Sequence, residues 1–270
     1  MNFVRSKLRF SILLVLFVGT ALPGAAAEKS RPPSADEIIR RVLERAREMQ
    51  ATTGTPAYTY SKVTITEEMD ADGKVKQRKK KIYQVKLQGG ATKMKLLEVN
   101  GRTPSEQEAR EQGENEMNLQ KLTGKNQAGN RDGFLTPELA ARFDFELVGK
   151  KTIQRRSAYE LKFKPKTPEP PVHRLLDRFL NRISGTLFID TEEFEIAHAD
   201  ISLSSEVNLL GGVAGSLKKL AYSVTRTRVA DGIWLNTSST GDFEGRKLLD
   251  WTRIKTRSQS TNFRLARMTS

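Results

Sequence analysis

The chain has no cysteine in its 270 residues. It can therefore hold neither a disulfide framework nor the lipid-modified N-terminal cysteine of a bacterial lipoprotein. Histidine is almost as scarce, with His173 in a proline-rich stretch and His198 inside a strand-like run, so no metal site is expected. The Gly-x-Ser-x-Gly, His-Glu-x-x-His and lysine-bearing phosphate-loop patterns are all missing. GGVAG at 211–215 lacks the strand-to-helix setting and the following Lys-Ser or Lys-Thr, and reads as a flexible loop. No catalytic residue and no cofactor is expected. A hydrolase built on two carboxylates distant in sequence stays open as an enzyme alternative.

Long apolar runs are also lacking. The run from Phe10 to Val18 falls short of the roughly 20 residues that span a bilayer. It follows the basic Arg5, Lys7 and Arg9 and precedes Pro23 and Ala25-Ala26-Ala27, the layout of a secretory signal peptide over residues 1–27. The mature chain is expected to begin at Glu28 and to be soluble and periplasmic. Removing three cations lowers the formal charge from +14 to +11. Export and the absence of a recognition helix or RNA-binding motif argue against a nucleic-acid partner. A surface facing anionic headgroups and a merely well-solvated surface both fit the excess of lysine and arginine.

What is present is mostly strand. SADEIIRRVLERAREM opens with Ser34 at an N-cap and Glu37 three places on, then spaces Ile38, Ile39, Val42, Leu43, Ala46 and Met49 along one helical face. From Ala57 the period changes to that of strands, punctuated by Asp72-Gly73 and Asn100-Gly101, which predict antiparallel neighbours. Pro104–Asp132 is a polar helical insertion without a core stripe, expected to be a covering or mobile element within a single domain over 28–270. FDFELVGKKTI and RSAYELKFKPK then alternate apolar and polar residues. TPEPPVHRLLDRFLNRI is a proline-rich break leading into a short amphipathic helix. The last third is nearly all strand, with Asp231-Gly232 and Glu244-Gly245 expected at turns. The total is nine to eleven antiparallel strands in an α+β chain, and a sheet this long must curl.

GTLFIDTEEFEIAHADI, residues 185–201, gathers Asp190, Glu192, Glu193, His198 and Asp200. Strand periodicity separates them. Asp190 is expected to end a strand by bonding to turn backbone, Glu192 and Glu193 to form a solvated tip, and His198 and Asp200 to lie about 7 Å apart on the return strand.

The exported N-terminus, the capped leading helix at 34–51 and the phrases FDFELVGKKTIQRRSAYELKFKP and GTLFIDTEEFEIAHADI resemble the outer-membrane lipoprotein-sorting proteins, the LolA-like periplasmic carriers. The resemblance covers most of the mature chain. It implies an incomplete, half β-barrel with helices across its open concave side and a carrier function, with acyl chains of a lipoprotein or lipid as ligand. Membrane-bound donor and acceptor proteins would be transient partners of a monomer. The long insertion and the basic charge depart from that pattern, and no cargo-binding residue of the family matches a numbered position. Phe145, Leu161, Phe163, Trp234 and Trp251 are expected to line the apolar concave face, because large apolar side chains on alternating strands are costly to leave in water. The alternative from a different class is a regulatory interaction module of related fold.

Overall fold

The computed structural model describes residues 32–51, 57–70, 72–88, 91–113, 135–209, 215–247 and 250–266. The expected signal segment and most of the insertion, 114–132, lie outside them. Among the described residues no helix is long and apolar enough to cross a membrane.

Helix α1 (Ala35–Ala51) starts where Ser34 Oγ accepts the Glu37 N–H at 3.2 Å. Its outer face is braced by Arg40–Glu44 and Arg41–Glu37 pairs at 2.6 and 2.7 Å, and its inner face buries Ile38, Ile39 and Val42. Three strands follow: β1 (Tyr58–Met69), β2 (Val75–Gln88) and β3 (Ala91–Val99). The β1–β2 turn is made by Asp70, whose Oδ1 accepts from the N–H groups of Asp72 and Lys74, with Gly73 at φ 79°.

Asn100-Gly101 behaves differently from the expected hairpin. Both residues have positive φ, but the chain returns for a single bridge, Val99 to Arg102. Pairing stops there because Ser105 starts a helix: its Oγ accepts the Glu108 N–H at 3.2 Å while Glu108 Oε2 accepts the Ser105 N–H at 2.9 Å. Arg102 grips the same carboxylate through two hydrogen bonds and helps hold it down to about pKa 2. This helix, α2, covers 106–113 of the described residues.

The remaining elements are α3 (Pro137–Ala140), β4 (Phe143–Ile153), β5 (Arg156–Pro165), α4 (Leu175–Leu180), β6 (Ile183–Asp190), β7 (Ile196–Leu203), β8 (Val207–Leu209), β9 (Gly215–Ala230), β10 (Ile233–Lys247) and β11 (Asp250–Leu265). Asp231-Gly232 makes the β9–β10 turn, with Gly232 at φ 67°. Glu244-Gly245, expected at a turn, lies inside β10, where Gly245 pairs with Leu217 and Thr252. A Cβ on Gly245 would sit 2.6 Å from the Ser216 carbonyl oxygen, so this glycine permits close strand approach and not chain reversal.

All eleven strands join one antiparallel sheet in the order β3-β2-β1-β11-β10-β9-β7-β6-β5-β4, with β8 attached to β9. The β1–β11 pairing brings the first and last strands together. β3 and β4 are the free edges, so the barrel is incomplete, as the α+β half-barrel reading requires. Apolar side chains collect in two places. One core lies under α1 and takes Phe143, Tyr159, Leu161, Phe163, Leu187, Ile189, Ile196, Ala199 and Val224 from β4 to β9. The other gathers Tyr58, Tyr60, Tyr83, Val85, Leu87 and Leu235 at the opposite flank of the sheet.

Candidate functional site: a groove beside the leading helix

Strand alternation brings Phe143, Phe145 and Phe163 together at the start of β4 and the end of β5, where Phe145 pairs directly with Phe163. Their ring centroids lie 5.3 to 6.5 Å apart, within the range of favourable aromatic contacts. Leu161 sits in the same core with no exposed surface. Phe163 is 7% exposed, whereas Phe145 is only half-buried and opens onto a groove of about 580 Å³ between α1 and β4. Ile39 and Leu43 of α1 with Phe143 and Phe145 form its apolar part. Arg40, Arg47 and Lys166, with Asp36, Glu44 and Asp144, supply its charged part. An apolar floor with a charged rim suits an amphiphile, whose chain leaves water while its head stays wet.

Three of the five residues expected to meet a ligand are thus together, and the two tryptophans are elsewhere. Trp234 is 5% exposed and donates its indole N–H to Glu193 Oε2 at 2.6 Å, with the Arg156 guanidinium 5.8 Å from its ring. A register shift between Asn236 and Ser238 of β10 breaks simple alternation there. Trp251 is 44% exposed, with the Lys218 ammonium 5.2 Å from its ring. It is in phase with Arg253, Lys255 and Arg257 of β11. Ser258 of that strand has the opposite phase and is linked through Ser239 to Val224 of the α1-covered core. Trp251 therefore lies on the other face of the sheet from the phenylalanine cluster.

No protein-family model matches this sequence, and no curated protein does. Several solved structures align along most of the chain at low identity. A LolA superfamily protein from Nitrosomonas europaea aligns at 10% identity and a TM-score of 0.32, over 88% of this chain and 96% of that one. A DUF1329 family protein from Desulfovibrio piger gives 12% identity and a TM-score of 0.36 over the same shares. A chain of the MucA/MucB complex of Pseudomonas aeruginosa gives 11% and 0.26, over 86% of this chain and 99% of that one. At these TM-scores no residue-level equivalence follows, and the half-barrel is read from the strand pairings above.

The acidic hairpin has a structural job. Asp190, 1% exposed, accepts two bonds from Arg156 at 2.6 and 2.9 Å and the N–H groups of Glu192 and Glu193. Burial pushes its pKa up, and Arg156 with the two amides outweighs that, leaving it below the usual aspartate value. Glu192 is exposed as expected, but Glu193 is not a solvated tip. It accepts from Arg228 at 2.6 Å as well as from Trp234. Next to it Glu195 meets the buried Arg226 at 2.7 Å and Arg45 of α1 at 3.7 Å, fastening the helix to the sheet. Sequence patterning missed these arginines because their partners lie 31 to 150 positions away in the chain.

The 7 Å spacing of His198 and Asp200 describes their backbones and misses their side chains, since His198 Nε2 and Asp200 Oδ2 come within 3.2 Å. Ser223 Oγ donates to Asp200 at 2.7 Å and is 3.3 Å from the same Nε2, while Nδ1 faces Thr225 Oγ1 at 2.9 Å. A hydrolytic triad needs serine on one ring nitrogen and carboxylate on the other. Here both crowd Nε2, and the serine proton is committed to the aspartate, so no nucleophile–base–orienter chain is assembled. Among the described residues no group of three or more His, Cys, Asp and Glu side chains is placed to hold a metal.

Proposed function

We propose that the chain is an exported periplasmic binding protein that holds acyl chains of a lipoprotein or lipid in the groove between α1 and β4, for transfer toward the outer membrane. The observation that supports this is the half-buried Phe145, continuous with Phe143 and Phe163 and open to a groove of about 580 Å³ with an apolar floor and a charged rim. That volume lies within the roughly 300–1,000 Å³ of small-molecule sites. Each CH₂ taken from water contributes about 0.8 kcal/mol, so several buried methylenes offset the ordering of a flexible chain. Binding of this kind needs no covalent chemistry. Membrane-bound donor and acceptor proteins complete the scheme.

Native mass spectrometry of the protein purified from its own periplasm tests the reading, with a stoichiometric lipid adduct as the expected result. Phe145→Glu places a charge against the chain and should weaken fatty-acid binding at least tenfold. Circular dichroism must first show the variant folded. Neither adduct nor saturable fatty-acid binding by the folded wild type would leave the filled-core interaction module in front.

A further inference from the structure

The sheet is charged unevenly. Cross-strand partners share a face, so the pairings Glu67 with Arg78 and Lys255, Ile65 with Lys80 and Arg257, and Thr59 with Lys86 and Arg264 put six cations on one side of β2, β1 and β11. Lys86 pairs in turn with Lys93, two residues from Lys95 on β3, and Lys76 stands two residues before Arg78 at the irregularity that ends the β1–β2 register. All nine are exposed, and they outnumber the carboxylates paired onto the same face, Glu67, Glu98 opposite Ile82, and Asp242 opposite Lys255. Arg78 approaches Glu67 at 3.5 Å, and the other eight cations form no ion pair among the described residues. With strands about 4.8 Å apart and about 3.3 Å per residue, the patch covers on the order of 15 by 30 Å.

The other face of the same strands carries buried Tyr83, Val85 and Leu87, so these lysines cannot turn inward. Several of the sheet's other cations have carboxylate partners. Lys151 meets Glu160, Arg156 meets Asp190, and Lys219 and Arg253 share Asp242.

A second observation lies on the same side. Trp251, in phase with Lys255 and Arg257, presents an indole to solvent at the end of β11. An amphipathic ring beside a field of ammonium groups is the composition of a surface that sits in lipid headgroups. Other macromolecules fit less well. Protein interfaces are depleted in lysine, yet six of the nine cations are lysines. Single-stranded nucleic acid is held by successive stacking rings, and this face offers one.

We infer that the β3-β2-β1-β11 face docks the protein on anionic phospholipid membranes, with Trp251 entering the headgroup layer. The surface is separate from the α1 groove, so docking and ligand uptake fail independently.

The test uses the mature chain with vesicles of phosphatidylglycerol in phosphatidylcholine, and with phosphatidylcholine alone. Co-sedimentation is expected with the anionic vesicles only. Raising salt from about 0.1 M to about 1 M shortens the Debye length from about 10 to about 3 Å and should release the protein. Brominated phosphatidylglycerol should quench Trp251 and spare Trp234, which Trp251→Phe would show by abolishing the quenching. Replacing Lys80, Lys86, Lys93 and Lys95 with glutamine should weaken vesicle binding at least tenfold. The same change at Lys150, Lys162, Lys164 and Arg178 removes equal charge and should alter it less than twofold. Equal losses in the two sets would show that net charge and not this face is responsible. Binding to neutral vesicles, no binding to anionic ones, or tighter binding to single-stranded DNA than to either would each overturn the proposal, and the wild-type salt and quenching results stand even if a variant misfolds.

Discussion

Asp190 shows how one side chain can end a strand, shape a turn and anchor a distant arginine at once. Its two oxygens are fully used by Arg156 and by two turn amides, which is why a carboxylate survives at 1% exposure. Asp190→Ala leaves Arg156 with only the exposed Glu192 and frees two amides. It should cost about 3 kcal/mol, near the low end for breaking a buried pair because Arg156 keeps access to water. Urea unfolding at neutral pH measures it. The pKa of this aspartate is depressed in the fold, so its contribution is fully present above the unfolded value of about 3.9 and disappears as pH falls through the lower folded value. Wild-type stability should therefore drop in acid more steeply than that of Asp190→Ala, and parallel acid limbs would contradict this assignment.

Among the elements, β6 depends on one glycine. Gly185 lies between Phe163 and Ile201 in the pairing, and a Cβ there would fall 1.9 Å from the Asp200 carbonyl oxygen and 2.9 Å from the Phe163 ring. Backbone cannot give way as a flexible side chain can, so Gly185→Ala should destabilise by about 3 kcal/mol or more, at the upper end of overpacking costs. The midpoint of thermal unfolding checks it. A shift within error would mean that β6 and β7 are held less closely than described. α1 is secured differently. Its cap at Ser34 contributes about 1 kcal/mol, whereas Ile38, with no exposed surface, should cost 2–5 kcal/mol when cut to alanine. Packing on the sheet, more than the cap, therefore keeps the helix in place.

For the whole molecule, an open sheet with two separate apolar cores offers two kinds of surface. The α1 side has a groove with an apolar floor, and the β3-β2-β1-β11 side has a field of exposed cations, most without an ion pair among the described residues. In the proposed function both surfaces meet lipid, and transfer toward the outer membrane makes export a condition of it. The mature protein should begin at Glu28 and fractionate with the periplasm, as N-terminal sequencing of fractionated cells would show. A start at Met1 in the membrane fraction would remove the carrier in its soluble form.

The sequence by itself determined the elements whose causes are local. Ser34 and the apolar stripe behind it fixed α1, the alternation in FDFELVGKKTI and RSAYELKFKPK fixed β4 and β5, and Asp190 declared itself as a strand end. The same alternation placed Phe145, Leu161 and Phe163 on one face, because Phe145 and Phe163 are direct partners across a short hairpin. What only the tertiary structure decided involves register between strands far apart in the chain. The β1–β11 pairing, the bulge that sends Trp234 to Glu193, the phase that puts Trp251 with Lys255, and the strand passage through Gly245 all depend on which strands meet. So does the gathering of lysines scattered over β2, β3 and β11 into one face. Periodicity records which way a side chain points along its own strand. It carries no information about the neighbour that strand will find, and that choice is made by packing across the sheet.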